Sequence, residues 1–222
     1  MTAESWELRC QALLFDLDGV LVDSRVVVER TWRRWAERHH MDPVALLQIA
    51  HGRRTRDTLQ VAAPQLATDA EVAWLDSTEL HDREGLTEVP GAKALLTVLP
   101  ADRWAIVTSC GRDLAAARLA SAGLPLPEVL VTSEAVEHGK PAPEGYLRGA
   151  ERLGHDPATC LVLEDAPAGV AAGQAAGARV LGLTTSYTAK DFPGVVATIP
   201  DLRGINIRTT ESGLAVTIST PT

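Results

Sequence analysis

Short apolar runs and amphipathic stretches alternate along most of this chain. Runs rich in Val, Leu and Ile occur at Gln11–Leu17, Trp104–Thr108, Val129–Thr132, Cys160–Leu163, Val180–Leu183 and Val195–Ile199. Their near-continuous apolar character predicts strands buried on both faces. Helical periodicity separates them at Gly91–Leu99, Arg112–Ala122, Pro143–Leu153 and Pro167–Ala176. Strands alternating with helices imply an α/β fold, a doubly wound parallel sheet covered on both sides. In such sheets ligands sit beyond the carboxyl ends of the strands.

Residues 25–87 break the alternation. They hold no Val/Ile-rich run and are dense in Arg, Glu and Ala. The pattern predicts helices over Ser24–His40, Pro43–Ala50, Thr55–Ala62 and Asp69–Glu84, the first starting at an Asp23-Ser24 pair suited to N-capping. Val89-Pro90-Gly91 marks the return to α/β text. The expected organisation is a core of residues 1–24 and 88–222, with residues 25–87 inserted as an α-helical cap domain. Period-2 features around Glu211-Ser212-Gly213 predict a terminal hairpin over Ile205–Ile218.

Charge narrows the function classes. The 222 residues carry 21 Lys+Arg against 29 Asp+Glu, a formal net charge of −8. An acidic surface disfavours nucleic acid and anionic membranes, which need clustered basic residues. The longest stretch free of charged residues, Ala166 to Ala178, falls short of the roughly 20 apolar residues a membrane helix needs. The start MTAESWELRC shows no apolar signal region, and the three cysteines (Cys10, Cys110, Cys160) form no CxxC or even framework. The expectation is a reduced, cytoplasmic protein.

The chemistry concentrates where the first apolar run ends, in Phe15-Asp16-Leu17-Asp18-Gly19-Val20-Leu21-Val22-Asp23-Ser24. Carboxylates two residues apart on a strand point the same way. Close carboxylates raise each other's pKa unless a cation intervenes, so a divalent metal would let one stay ionised while the other holds a proton. A calcium loop of EF-hand type is excluded, because Gly19 is fourth rather than sixth and the filling is Leu and Val.

The segment Asp16-Leu-Asp18-Gly-Val-Leu-Val-Asp23-Ser24 resembles the first motif of the haloacid dehalogenase superfamily of phosphohydrolases. Three more stretches fit in order, each at a predicted strand end. Ile106-Val107-Thr108-Ser109 is similar to the second motif, Gly139-Lys140-Pro141-Ala142-Pro143 to the third, and Leu163-Glu164-Asp165-Ala166-Pro167-Ala168-Gly169 to the fourth. The match covers essentially the whole chain and lies nearest the bacterial sugar, polyol and deoxysugar phosphatases, in the branch that includes β-phosphoglucomutase. It implies a Rossmann-like core and Mg²⁺-dependent hydrolysis of a small phosphorylated sugar or polyol. By that resemblance Asp16 attacks phosphorus to form an aspartyl phosphate, and Asp18 is general acid and then base. Asp16, the Asp18 carbonyl and Asp165 would hold Mg²⁺, with Glu164 a further ligand or a supporting group. Thr108, Ser109 and Lys140 would bind the phosphoryl oxygens. In the cap, His51-Gly52-Arg53 is similar to a substrate-facing loop, so His51 and Arg53 are expected to face the substrate on cap closure. Glu84 and Gly85 are expected at the hinge, near a sugar hydroxyl.

Other readings remain at this stage. Gly139-Lys140 is not a Walker loop, since Pro141 replaces Ser/Thr and Glu134 the first glycine. Gly169, Gly173 and Gly177 recur every fourth residue, predicting a small-residue face packed on the sheet rather than a dinucleotide fingerprint. A dehalogenase would lack Asp18, and a phosphonoacetaldehyde hydrolase needs a cap lysine that residues 25–87 do not contain. A β-phosphoglucomutase-type mutase stays open, although it would carry histidine where this chain has Val28. So does a phospho-accepting signalling or sensor domain. Which ester is the substrate, and the oligomeric state, are not encoded legibly.

Overall fold

The computed structural model describes residues 5–219. In chain order the strands and helices are β1 (Ser5–Cys10), β2 (Leu13–Phe15), β3 (Val22–Asp23), α1 (Arg25–Arg38), α2 (Pro43–Ala50), α3 (Thr55–Ala62) and α4 (Asp69–His81). Then follow β4 (Thr87–Glu88), α5 (Ala92–Val98), β5 (Trp104–Val107), α6 (Arg112–Ser121), β6 (Leu130–Val131), α7 (Glu144–Arg152), β7 (Leu161–Glu164) and α8 (Pro167–Ala175). The chain closes with β8 (Arg179–Leu183), β9 (Ala197–Ile199), β10 (Ile205–Thr210) and β11 (Gly213–Ser219).

Six strands form a parallel sheet in the order β6-β5-β2-β7-β8-β9. Strand alternation splits their side chains between two cores. Leu13, Phe15, Ile106, Leu161 and Leu163 join one cluster, while Leu14, Ala105, Val107, Val162 and Val180 join the other. Helices cover both faces, so the runs read as uninterrupted apolar text. The architecture is a Rossmann-like α/β core.

Between β3 and β4, helices α1 to α4 build a cluster of their own around Trp32, Trp35, Leu46, Leu59 and Leu75. The chain leaves and re-enters the core through the antiparallel ribbon Val22↔Glu88 and Asp23↔Thr87. The hairpin β10–β11 is present, but it belongs to a three-stranded sheet in which β1 pairs with β11. That first strand was not foreseen. Only Trp6, Leu8 and Cys10 face inward in Ser5–Cys10, and charged residues alternate with them.

Candidate active site

Strand β2 lies between β5 and β7, where the chain's order in the sheet switches direction. Asp16 follows it directly, tied by its N–H to Leu163 O at 3.0 Å. Thr108 follows β5, Glu164 ends β7 and Asp165 comes next, so the carboxyl ends of three adjacent strands deliver the first, second and fourth motifs to one place. Lys140 reaches it from the loop ahead of α7.

The floor of the site is buried and strongly charged. Asp16 and Asp165 are each 3% exposed, Lys140 6% and Glu164 0%. Lys140 Nζ lies 2.8 Å from Asp16 Oδ1 and 2.7 Å from Glu164 Oε1. Leu17 N–H also donates to Asp16 Oδ1, at 2.8 Å. No hydrogen bond reaches Asp16 Oδ2 among the described residues. Glu164 is fully engaged: Tyr146 OH donates to Oε1 at 2.7 Å, and the Asp165 and Ala166 N–H groups donate to Oε2 at 3.0 and 3.2 Å. A Cβ on Gly169 would fall 1.6 Å from Glu164 Oε1, so a glycine on α8 makes room for this carboxylate.

Electrostatics shows what the floor lacks. Ligand atoms of Asp16, Glu164 and Asp165 lie within 4.8 Å of one another. Burial first, then Glu164, pushes the Asp16 carboxyl up to about 7, against the pull of Lys140. Asp165 is raised well above the usual carboxylate range by burial, then by Glu164 and Asp16. Burial acts to lower Lys140, but Asp16 and Glu164 outweigh it and hold the ammonium above its ordinary value. One buried lysine does not balance three buried carboxylates. A hard divalent cation fits this oxygen-only donor set, and Asp165 has carboxylate oxygens to offer it.

Above the floor opens a cleft lined by Asp16, Asp18 and Asp165 from the core and by His51, Gly52 and Arg53 from the cap. Gly19 turns the chain directly after Asp18 at φ +74°, and a Cβ there would fall 1.8 Å from Asp165 Oδ2. Glycine is required on both counts. Asp18 accepts from Ser24 Oγ at 2.6 Å and from Arg118 Nη1 at 2.7 Å. Burial depresses the His51 pKa, with Glu29 and Asp18 acting the other way. Arg53 makes no salt bridge among the described residues.

The second and third motifs sit differently from each other. Ser109 Oγ donates to Gly52 O at 2.9 Å and so touches the cap loop. Thr108 is buried, and its Oγ1 accepts from Cys110 N–H at 3.2 Å. Thr108, Ser109 and Lys140 share a second, smaller recess beside the floor. Cys110 lines the main cleft, but burial pushes its thiol up to about 12, so it stays protonated and unreactive.

Three expectations are corrected. Of the Asp23-Ser24 pair, Ser24 stands at the N-cap of α1 without a capping bond because its hydroxyl is spent on Asp18, and Asp23 Oδ1 instead accepts from Arg25 N–H at 3.3 Å. Gly177 does not pack on the sheet: it follows α8 at φ +82° with nothing near a would-be Cβ, a helix-ending glycine. Gly169 and Gly173 do pack: a Cβ on the latter would fall 2.9 Å from Val180 Cγ2. Glu84 is exposed and lies by a separate surface hollow with Arg30, Arg34 and Trp74, away from the cleft.

Two cleft residues escaped the sequence reading. Arg118 is 3% exposed and binds Asp18 and Glu79 together, its Nη2 lying 2.5 Å from Glu79 Oε2. A signal existed. Leu114, Ala115, Arg118 and Leu119 are the buried positions of α6, which places an arginine on an apolar stripe. Glu79 stands one turn after Leu75, the buried position of α4.

Comparison with known proteins follows the same lines. Residues 10–177 match the haloacid dehalogenase-like hydrolase family. Hexitol phosphatase A of Escherichia coli (strain K12) is 46% identical over 181 residues, covering 79% of this chain and 84% of that protein. Glycerol-1-phosphate phosphohydrolase 2 of Saccharomyces cerevisiae is 36% identical over 199 residues, covering 84% of this chain and 80% of that one. Among solved structures, a hydrolase from Pseudomonas syringae superposes with a TM-score of 0.77 at 25% identity, over 87% of this chain and 94% of that one.

Proposed function

This chain belongs to the haloacid dehalogenase-like hydrolase family, and on that premise we propose that it is a Mg²⁺-dependent phosphatase of small sugar or polyol phosphates. The observation that carries the reading is the floor: a buried aspartate with one oxygen pinned by Lys140 and the other free, beside a second aspartate lining the same cleft.

Phosphate monoesters are among the slowest esters to hydrolyse, needing accelerations up to ~10²¹. Positioning and charge stabilisation must supply most of that. Asp16 meets the first demand. Lys140 and the Leu17 N–H fix its Oδ1, and the free oxygen attacks phosphorus, giving an aspartyl phosphate and expelling the alcohol. Lys140 then offers its charge to the phosphoryl oxygens, with Thr108 and Ser109 beside it. Asp18 gives a proton to the departing oxygen and later takes one from the water that cleaves the acyl phosphate. Ser24 and Arg118 orient its carboxyl for both tasks.

Asp16, Asp165 and the Asp18 carbonyl would hold Mg²⁺, which when bound supplies positive charge between the nucleophile and the phosphate. Glu164 serves as the group that orients Lys140 and the first turn of α8, since both of its oxygens already accept hydrogen bonds. His51 and Arg53 face the substrate from the cap. Gly52, between them, is tied to Ser109, and Tyr187 OH donates to Gln48 O at 3.0 Å, which holds the cap over the cleft. Val28 lines that cleft with an apolar side chain, which favours transfer to water over transfer to a second sugar hydroxyl.

The test is steady-state phosphate release with Mg²⁺ across hexose 6-phosphates, 2-deoxyglucose 6-phosphate, hexitol phosphates, glycerol 1-phosphate and β-glucose 1-phosphate. Many turnovers on sugar or polyol esters are expected. At most one phosphate per protein indicates a sensor, and isomerised β-glucose 1-phosphate indicates a mutase.

A further inference from the structure

The cleft holds a charged assembly of which hydrolysis as described uses Asp18 and Arg118 but not Glu79. Arg118 extends from α6 of the core with one terminal nitrogen on Asp18 and the other on Glu79, which belongs to α4 of the cap. All three line the cleft. One guanidinium therefore sets the spacing between the carboxylate facing the leaving oxygen and a second carboxylate from the cap.

The assembly is incomplete. Arg118 Nε is buried and has no hydrogen-bond partner, and no hydrogen bond reaches Glu79 Oε1 among the described residues. Glu79 lines the cleft with one carboxylate oxygen unpaired, and a buried carboxylate oxygen gains from a donor that a ligand can bring. Burial raises the Glu79 carboxyl to about 6, with Arg118 opposing. Val28 and Leu114 also line the cleft with apolar side chains, and Trp32, which lines it too, makes no hydrogen bond to Glu79 among the described residues.

We propose that Glu79, anchored by Arg118, accepts a hydrogen bond from a hydroxyl of the leaving alcohol, close to the ester oxygen served by Asp18, and so selects polyhydroxylated phosphate esters over alkyl ones. The inference rests on the phosphatase reading and deepens it. A hydroxyl both donates and accepts, which matches a carboxylate beside a guanidinium. A site built to bind a hydroxyl rejects analogues lacking it, because its buried groups are then left unpaired.

The experiment compares kcat and KM for glycerol 1-phosphate and n-propyl phosphate, which differ only in hydroxyls, using the full chain with Mg²⁺. The wild-type protein is expected to prefer glycerol 1-phosphate by about 30-fold or more in kcat/KM. Glu79→Leu is expected to reduce that preference at least about tenfold, chiefly through KM for the glycerol ester. Glu79→Gln, which keeps length and polarity, guards against loss of folding and is expected to reduce it by about threefold or more. A folded variant with wild-type preference overturns the inference, as does equal slowing of both esters, which marks a merely structural role. Wild-type hydrolysis of both esters without preference also overturns it while sparing the phosphatase reading. Absence of turnover on every phosphorylated polyol refutes the phosphatase reading itself.

Discussion

Two ion clusters meet at this cleft and are built in opposite ways. The floor, Asp16, Glu164, Asp165 and Lys140, comes entirely from the core, and adjacent parallel strands fix most of it. The upper cluster, Asp18, Arg118 and Glu79, spans core and cap and exists only while α4 lies over α6. The floor carries excess negative charge and needs a cation. The upper cluster has its arginine shared between two carboxylates and, as proposed, takes a substrate hydroxyl through Glu79. A sheet can hold groups for bond making within fractions of an ångström, whereas substrate selection tolerates, and requires, a part that moves.

The largest effect expected is on the floor. Asp16→Asn removes the attacking oxygen and should lower kcat by about 10⁴-fold or more, with the fold intact by circular dichroism. Lys140→Met comes next. It strands two buried carboxylates, and stability should drop by about 3–5 kcal/mol in urea titration, since breaking a buried pair leaves its partners uncompensated.

The floor also predicts a pH signature. Without metal the Asp16 carboxyl lies at about 7 against an ordinary 3.8, and Asp165 is raised too. The folded chain then keeps protons that the unfolded chain releases first. Stability from these groups therefore falls as pH rises from about 4 to about 7. A cation that displaces those protons should recover the loss. The gain in Tm on adding Mg²⁺ is expected to be larger at about pH 8 than at about pH 5.5, and an equal gain at both would contradict the charge excess described for the floor.

Effects on the upper cluster and the latch should be smaller. Ser24→Ala frees one Asp18 oxygen and is expected to slow turnover about tenfold on every ester, without changing substrate preference. Tyr187→Phe removes one cap–core hydrogen bond worth about 1 kcal/mol, and KM should rise by less than about fivefold.

Legibility in the sequence follows the same division. Strands of the core are continuous apolar runs, and Asp16, Thr108 and Asp165 sit where those runs stop, so the fold and most of the floor could be read; Lys140 comes from a loop well past β6 and was legible only through its motif. The upper cluster is made of contacts between distant elements. Asp18 and Arg118 are 100 residues apart, and no local pattern pairs them. Glu84 was expected at the cleft, yet the group that reaches it from α4 is Glu79, one turn further inside the cap. Helix registry, not sequence proximity to the hinge, decides which carboxylate faces inward. Strand β1 was missed for a related reason: it is stabilised by a partner from the far end of the chain, with Trp6 opposite Ile218.

The central claim is that Asp16 carries the phosphoryl group between two half-reactions. Acid quenching during turnover of a phosphorylated polyol with Mg²⁺, followed by mass analysis of peptides, tests it most directly. The account predicts one phosphoryl group on the peptide containing Asp16, absent in Asp16→Asn. Sustained turnover with no phosphorylated Asp16 peptide, and multiple turnovers by Asp16→Asn, would contradict it.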